Sequence, residues 1–356
     1  MGSEKYEKSF FLIIAIAIAG GIIGLVNGMA SDKKMNPDKV ELGNLTISAW
    51  IPEWQSKLSM ENIKDSAGGL ENLHVFGAYF NEYDKPFLTD GAVKIYEDAK
   101  KNFDNTHTIL LTVINDLVIT GKPSVQKDST LLHRFVKDEE SRKKHIADLL
   151  VLVEQYDVDG LEIDYEKIAK EDTKNYILFL EELYAALKDK GLSMHVVLVP
   201  SFPFEELLPS GPKYTVMAYN VHGFHSGPGA KATYKFLDQL FVKLKKSNQH
   251  FGIAFATGGF TWETNGKTKA LTEIEAEALL ASTKATPQRD EESDAIYFTY
   301  PENGIQKEAW YADQVTLENW INYVRKHAPE YTDFILWRVG GLGNETVKWI
   351  STVQNN

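Results

Sequence analysis

Asp159-Gly160-Leu161-Glu162-Ile163-Asp164-Tyr165-Glu166 is the stretch of this chain best equipped for proton chemistry. Side chains alternate faces along a strand. Leu161, Ile163 and Tyr165 therefore share one side, and Glu162, Asp164 and Glu166 share the other. Three carboxylates in one file repel each other, and a solvated strand face would mix in Thr, Lys or Arg. The file makes chemical sense where protons are shared and one carboxyl stays neutral near pH 7, as a general acid must. An exposed acidic strand face is the plainer alternative. Along the backbone Asp164 stands about 6.6–7 Å from Glu166, deeper in the strand and within side-chain reach.

The elements that must position this file alternate regularly. Strand-like apolar runs cover 45–50, 73–80, 108–114, 159–165, 194–199, 214–218, 251–256 and 334–337. Several are nearly continuous, as parallel strands covered on both faces are. Helical periodicity fills the gaps at 92–102, 141–156, 173–190, 234–246 and 317–327. Strands alternating with helices in this way predict an α/β fold, a (β/α)8 TIM barrel over 45–356. A doubly wound open sheet would give the same alternation. Between 257 and 309 the composition turns Gly-, Thr- and aromatic-rich, which predicts a small α+β insertion after strand seven.

In a barrel the carboxyl ends of the strands form the active face. Glu166 ends strand four. Trp50 and Trp54 end strand one, Tyr79 strand two, Met217-Ala218-Tyr219-Asn220 strand six and Trp337 strand eight. Aromatic rings offer sugars a flat apolar surface with a polar handle. Each ring alone reads as packing more readily than as a subsite, and it is their grouping at strand ends that suggests glycan binding.

The acid file resembles the DxxDxDxE motif of glycoside hydrolase family 18, the chitinases, endo-β-N-acetylglucosaminidases, spore-cortex lytic enzymes and related lectins. Asp159, Glu162, Asp164 and Glu166 fall on its four positions, with Gly160 inside it and Glu162 where the family has Asp. Met217-Ala218-Tyr219-Asn220 is similar to the family's Met-x-Tyr-Asp, with Asn220 replacing the acid. Trp337 looks like the tryptophan that floors the subsite of the distorted sugar. Strand three ends Val113-Ile114-Asn115-Asp116 instead of the Ser-x-Gly-Gly of many chitinases, closer to the cortex-lytic, peptidoglycan-acting branch. The resemblance covers most of 45–345.

What the resemblance implies is a hydrolase for β-linked N-acetylglucosamine glycans that retains configuration through the substrate's own acetamido group. Glu166 is then the acid and base, Asp164 orients the acetamido group, Tyr219 donates to it, and Glu162 shares a proton with Asp164. Trp337, Asn220, Trp50, Tyr79 and Met217 line the sugar, and Asp159 and Gly160 shape the motif. No metal or organic cofactor is implied. Lectin-like members lose the terminal acid, so a non-catalytic glycan-binding module is the alternative that Glu166 argues against.

Composition narrows the remaining classes. The chain has 356 residues and a formal net charge of -12, which disfavours nucleic-acid partners, and a monomer is expected. It has no cysteine, so disulfides, thiolate metal sites and cysteine nucleophiles are excluded. His222 and His225 could share a helix face, but no third metal ligand is evident. After a short tail, 1–9, an apolar run over 10–26 is long enough, at about 1.5 Å per residue, to span a bilayer core. It reads as a transmembrane anchor over 10–29, with the catalytic barrel extracytoplasmic and a linker over 30–44. Secretion after signal cleavage near Ala30 is the alternative. Membrane fractionation of the full-length product separates the two.

Overall fold

The structure, a computed structural model, describes residues 45–103 and 106–353. The apolar run of 10–26, and with it the expected anchor and linker, lies outside the described residues. Among those residues no helix is long and apolar enough to cross a membrane.

Eight parallel strands close on themselves. They are β1 (Thr46–Pro52), β2 (Asn72–Asn81), β3 (Thr108–Val118) and β4 (Gly160–Asp164). The circle continues with β5 (Ser193–Leu198), β6 (Lys213–Met217), β7 (Phe251–Ala256) and β8 (Asp333–Trp337). β8 pairs with both β7 and β1, and β1 with β2. This closure separates a barrel from the doubly wound alternative. A short strand, Pro86–Leu88, folds back antiparallel on β2.

The alternation read from the sequence decides which side chains enter the barrel. Leu161, Ile163 and Tyr165 join the large core between strands and helices. Glu162 and Asp164 point inward, toward a second cluster that includes Trp50, Phe76, Met217 and Tyr219. The helix Glu139–Tyr156 delivers the chain to β4. Its start is capped by Asp138, whose carboxylate accepts from Ser141 N, and it ends at Asp157, where φ is 49°. Such a cap contributes about 1 kcal/mol.

After β7 the chain leaves the barrel to build a five-stranded antiparallel sheet over 258–312, crossed by the helix Glu273–Thr283. The unit has its own apolar centre, including Leu271, Phe298, Tyr300 and Tyr311. Asp313 then caps the helix Gln314–His327 through Thr316 N, and Arg289 of the inserted sheet pairs with the same carboxylate at 2.7 Å.

Candidate active site

The start of β4 is fixed by its own first residues. Asp159 accepts from Ile109 N at 2.8 Å and ion-pairs with Lys100 at 2.9 Å, which sets the register of β4 against β3. Next to it, a Cβ on Gly160 would lie 2.3 Å from the Ser193 carbonyl oxygen. Only glycine allows β5 to approach so closely here.

Glu162 is fully buried, in register with Thr112 of β3 and His195 of β5. Trp50 Nε1 donates to its Oε1 at 2.5 Å and Thr112 Oγ1 to the same atom at 2.7 Å, while His74 Nδ1 lies 2.7 Å from Oε2. The sequence reading has Glu162 sharing a proton with Asp164. These three donors take up its oxygens instead, and Glu162 acts on Asp164 as a neighbouring charge that disfavours ionisation. The extra methylene relative to the family's Asp gives the carboxylate its reach to β1, β2 and β3.

Asp164, one turn of alternation higher, is buried, and its Oδ1 has no hydrogen-bond partner. Burial raises its carboxyl to about 8; Lys127 pulls it down, while Glu166, Glu162 and Asp116 push it up. This is a carboxyl that keeps its proton at neutral pH. Glu166 follows just beyond the strand. Asn115, fully buried, grips its main chain: Glu166 N donates to Asn115 Oδ1 at 2.9 Å, and Asn115 Nδ2 donates to the Glu166 carbonyl at 3.0 Å. The carboxylate of Glu166 accepts from Lys127 Nζ. Burial alone would lower the Lys127 ammonium, but Glu166, Asp164 and Asp116 hold it above its ordinary value. Asp116, which accepts from Lys127 N at 2.8 Å, is itself raised by burial against the pull of Lys127.

A cation embedded among acids sets how tightly the cluster keeps its proton. Lys127→Met removes the charge that lowers Asp164. The alkaline limb of kcat/KM, an apparent value belonging to the cluster, should therefore move up by about one pH unit. A pH profile in which that limb stays in place or moves down would rule out this role for Lys127.

The other expected residues separate into two groups. Tyr219 and Met217 join the inner cluster, and Trp337 packs against it, half-buried, 4.7 Å from the Phe76 ring and edge-on to Trp54 at 6.4 Å. Burial, and after it Asp164, Glu166 and Glu162, hold the Tyr219 hydroxyl protonated. Trp50 and Tyr79, read from the sequence as sugar-facing rings, are each only 2% exposed. Their polar atoms are engaged by Glu162 and by Glu53, the latter at 2.9 Å. They support the floor, because in a closed barrel the inward positions near the strand ends pack on one another first. Asn220 lies exposed at the strand end with φ of 68°.

His222 and His225 fall in the non-helical stretch after β6, so they share no helix face; His222 Nδ1 lies 3.1 Å from the Gly227 carbonyl. His74, Glu162 and His195 do bring three ligand-type atoms within 4.8 Å of one another. The 2.7 Å approach of His74 to Glu162 is a hydrogen bond, and the carboxylate already accepts from Trp50 and Thr112. The set reads as a polar layer of the barrel interior.

Sequence reasoning missed Asn115 as a clamp, Lys127 as the partner of Glu166, and Glu53 behind Tyr79. Asn115 carried a signal, a polar residue ending a strand at a place where the expected motif is absent. Lys127 carried none, lying in a polar run 39 residues before the acid it meets.

A closed parallel barrel, with a proton-holding carboxyl beneath a second carboxyl at a strand end beside aromatic rings, defines a glycosidase type of site. The chain belongs to the family described as glycosyl hydrolases family 18, whose model matches residues 71–340, and it is a glycoside hydrolase. It is 25% identical to an uncharacterized glycosylase, YvbX, of Bacillus subtilis over 240 residues, 62% of this chain and 67% of that one. It is 24% identical to the cortical fragment-lytic enzyme of Bacillus anthracis over 246 residues, 63% of this chain and 56% of the relative's length. Among solved structures, the spore cortex-lytic enzyme SleL of Bacillus cereus superposes with a TM-score of 0.73 at 18% identity, over 87% of this chain and 74% of that one. A chitinase from Chromobacterium violaceum superposes with 0.74 at 14% identity, over 88% and 99%. These structures share the fold.

Proposed function

We propose that this chain hydrolyses β-linked glycans containing N-acetylglucosamine, with retention of configuration and with the substrate's acetamido group as nucleophile. The observation that carries this reading is a buried Asp164 carboxyl, its Oδ1 without a hydrogen-bond partner, below Glu166. Asp164 passes the proton held in the cluster to Glu166, and Glu166 gives it to the glycosidic oxygen as the bond to the anomeric carbon breaks. The acetamido carbonyl oxygen forms the new bond to that carbon, and Asp164, ionised once its proton has passed to Glu166, stabilises the resulting oxazolinium ion. Tyr219 donates a hydrogen bond to the acetamido group, and Trp337 floors the sugar, with Met217 and Asn220 alongside. Glu166, now ionised, takes a proton from the water that opens the ring. This substrate-assisted route departs from the two-carboxylate scheme of most glycosidases.

The similarity to a cortical fragment-lytic enzyme and to a chitinase favours peptidoglycan or chitin as the glycan. Mass spectrometry of digests of chitooligosaccharides, peptidoglycan fragments and an N-linked glycan tests this directly. Products ending in N-acetylglucosamine are expected from at least one of the first two. Binding to these glycans without turnover of any would instead make the barrel a lectin.

A further inference from the structure

Two cations stand at the mouth of the barrel, and among the described residues neither forms an ion pair with a carboxylate. Arg338 directly follows Trp337, and its guanidinium lies 5.6 Å from the centre of the Trp54 ring. Its Nη1 is buried without a hydrogen-bond partner. Lys231, on the loop after β6, donates from Nζ to the Thr257 carbonyl at 2.5 Å and lies 5.2 Å from the centre of the Phe260 ring of the inserted sheet. Thr257, just past β7, ties the two together: its hydroxyl donates to the Arg338 carbonyl at 2.8 Å, and its N–H to the Trp337 carbonyl at 2.7 Å. The three strand ends thus hold both cations beside the tryptophan that floors the cleft.

Half-buried cations with no anionic partner are costly, and proteins seldom keep them so. Burial, then Arg338, pushes the Lys231 ammonium down to about 7, and burial lowers Arg338 to about 10. Glu275, the carboxylate whose charge favours the Arg338 cation, is engaged by Thr272 N and Oγ1 at 2.8 and 2.9 Å. A cation–π contact with Trp54 offsets part of the cost, but a guanidinium carries five donors and this contact satisfies none of them.

We propose that Lys231 and Arg338 form an anion subsite for a carboxylate borne by the glycan, next to the sugar that Trp337 floors. The proposal rests on the reading of the cleft as a hydrolase site for N-acetylglucosamine glycans, and it narrows the substrate to one whose hexosamine rings carry an acidic substituent. The lactyl carboxylate of N-acetylmuramic acid has this chemistry, and unsubstituted chitin does not. Arg338 supplies a planar fork suited to a carboxylate, and Lys231 a point charge.

The test compares oligosaccharides of alternating N-acetylglucosamine and N-acetylmuramic acid with chitooligosaccharides of equal length. The wild-type chain should favour the acidic glycan in kcat/KM by about 10- to 100-fold, the worth of a charge-assisted hydrogen bond or two. Methyl esters of the lactyl groups, which alter only the substrate, should lose that advantage. Arg338→Gln and Lys231→Gln should each raise KM more on the acidic glycan than on the neutral one, and Arg338→Lys should recover part of the difference. Equal cleavage of free acid and ester by the wild-type chain overturns the proposal, as does an equal loss on both glycans in the variants. Cleavage of neither glycan would instead defeat the hydrolase reading. Calorimetric titration with free N-acetylmuramic acid against N-acetylglucosamine then still decides the subsite, with equal Kd values sinking it.

Discussion

Glu166→Gln should leave a folded barrel and remove most turnover, by about 10²–10⁴-fold for loss of a positioned general acid, and by more where one carboxyl serves as both acid and base. Glutamine matches the shape of the carboxyl and keeps the main-chain bonds to Asn115. It can neither release a proton to the leaving oxygen nor take one from water. Circular dichroism and a melting curve close to those of the parent would show that the fold survives. Turnover within a few-fold of the parent would remove Glu166 from the chemistry altogether.

Hydrolysis should also require an acetamido group on the sugar whose anomeric carbon is attacked, and analogues with a hydroxyl there should be inert. The structure brings two further carboxyls near the strand ends, Glu53 after β1 and Asp116 at the end of β3, and either is a rival nucleophile on composition alone. Both are poorly suited to attack. Burial raises Glu53 to about 7 despite its bond from Tyr79, and burial raises Asp116 despite Lys127. Each is also held by the protein, Glu53 by the Tyr79 hydroxyl and Asp116 by Lys127 N, so the substrate is expected to supply its own nucleophile. Electron-poor N-acyl groups should slow the reaction, and a thiazoline analogue of the cyclic intermediate should inhibit competitively. NMR of fresh digests should record the β-anomer first. Efficient cleavage of the hydroxyl analogue, or release of the α-anomer from a β-linked glycan, would overturn the mechanism while leaving the family assignment intact.

The acid file was readable because a strand's two-residue period is local: Glu162 and Asp164 turn inward and Leu161 and Ile163 outward as alternation dictates. All eight barrel strands were legible for a related reason. Double-sided burial writes each as a short apolar run. What stayed hidden depends on closure of the circle. The sequence contains Trp50, His74 and Thr112, but only a closed barrel lets them converge on Glu162 across separations of 112, 88 and 50 residues. The same holds for Lys127, and for Lys231 and Arg338, which meet around Thr257. Trp50 and Tyr79 were read as rings for sugar because residue type shows that a ring is present, and only packing shows what covers it.

Asn115 holds Glu166 by its amide and carbonyl and leaves its side chain to Lys127. The mooring is therefore indifferent to which residue is moored. The torsions of the acid remain free to carry the carboxyl between the leaving oxygen and the incoming water without loosening the strand end. The same independence makes the architecture tolerant of losing its chemistry. A substitution at this one position erases the proton donor and leaves the floor, the clamp and the cations standing. In such a scaffold, an enzyme and a glycan receptor are neighbours in sequence space, one codon apart.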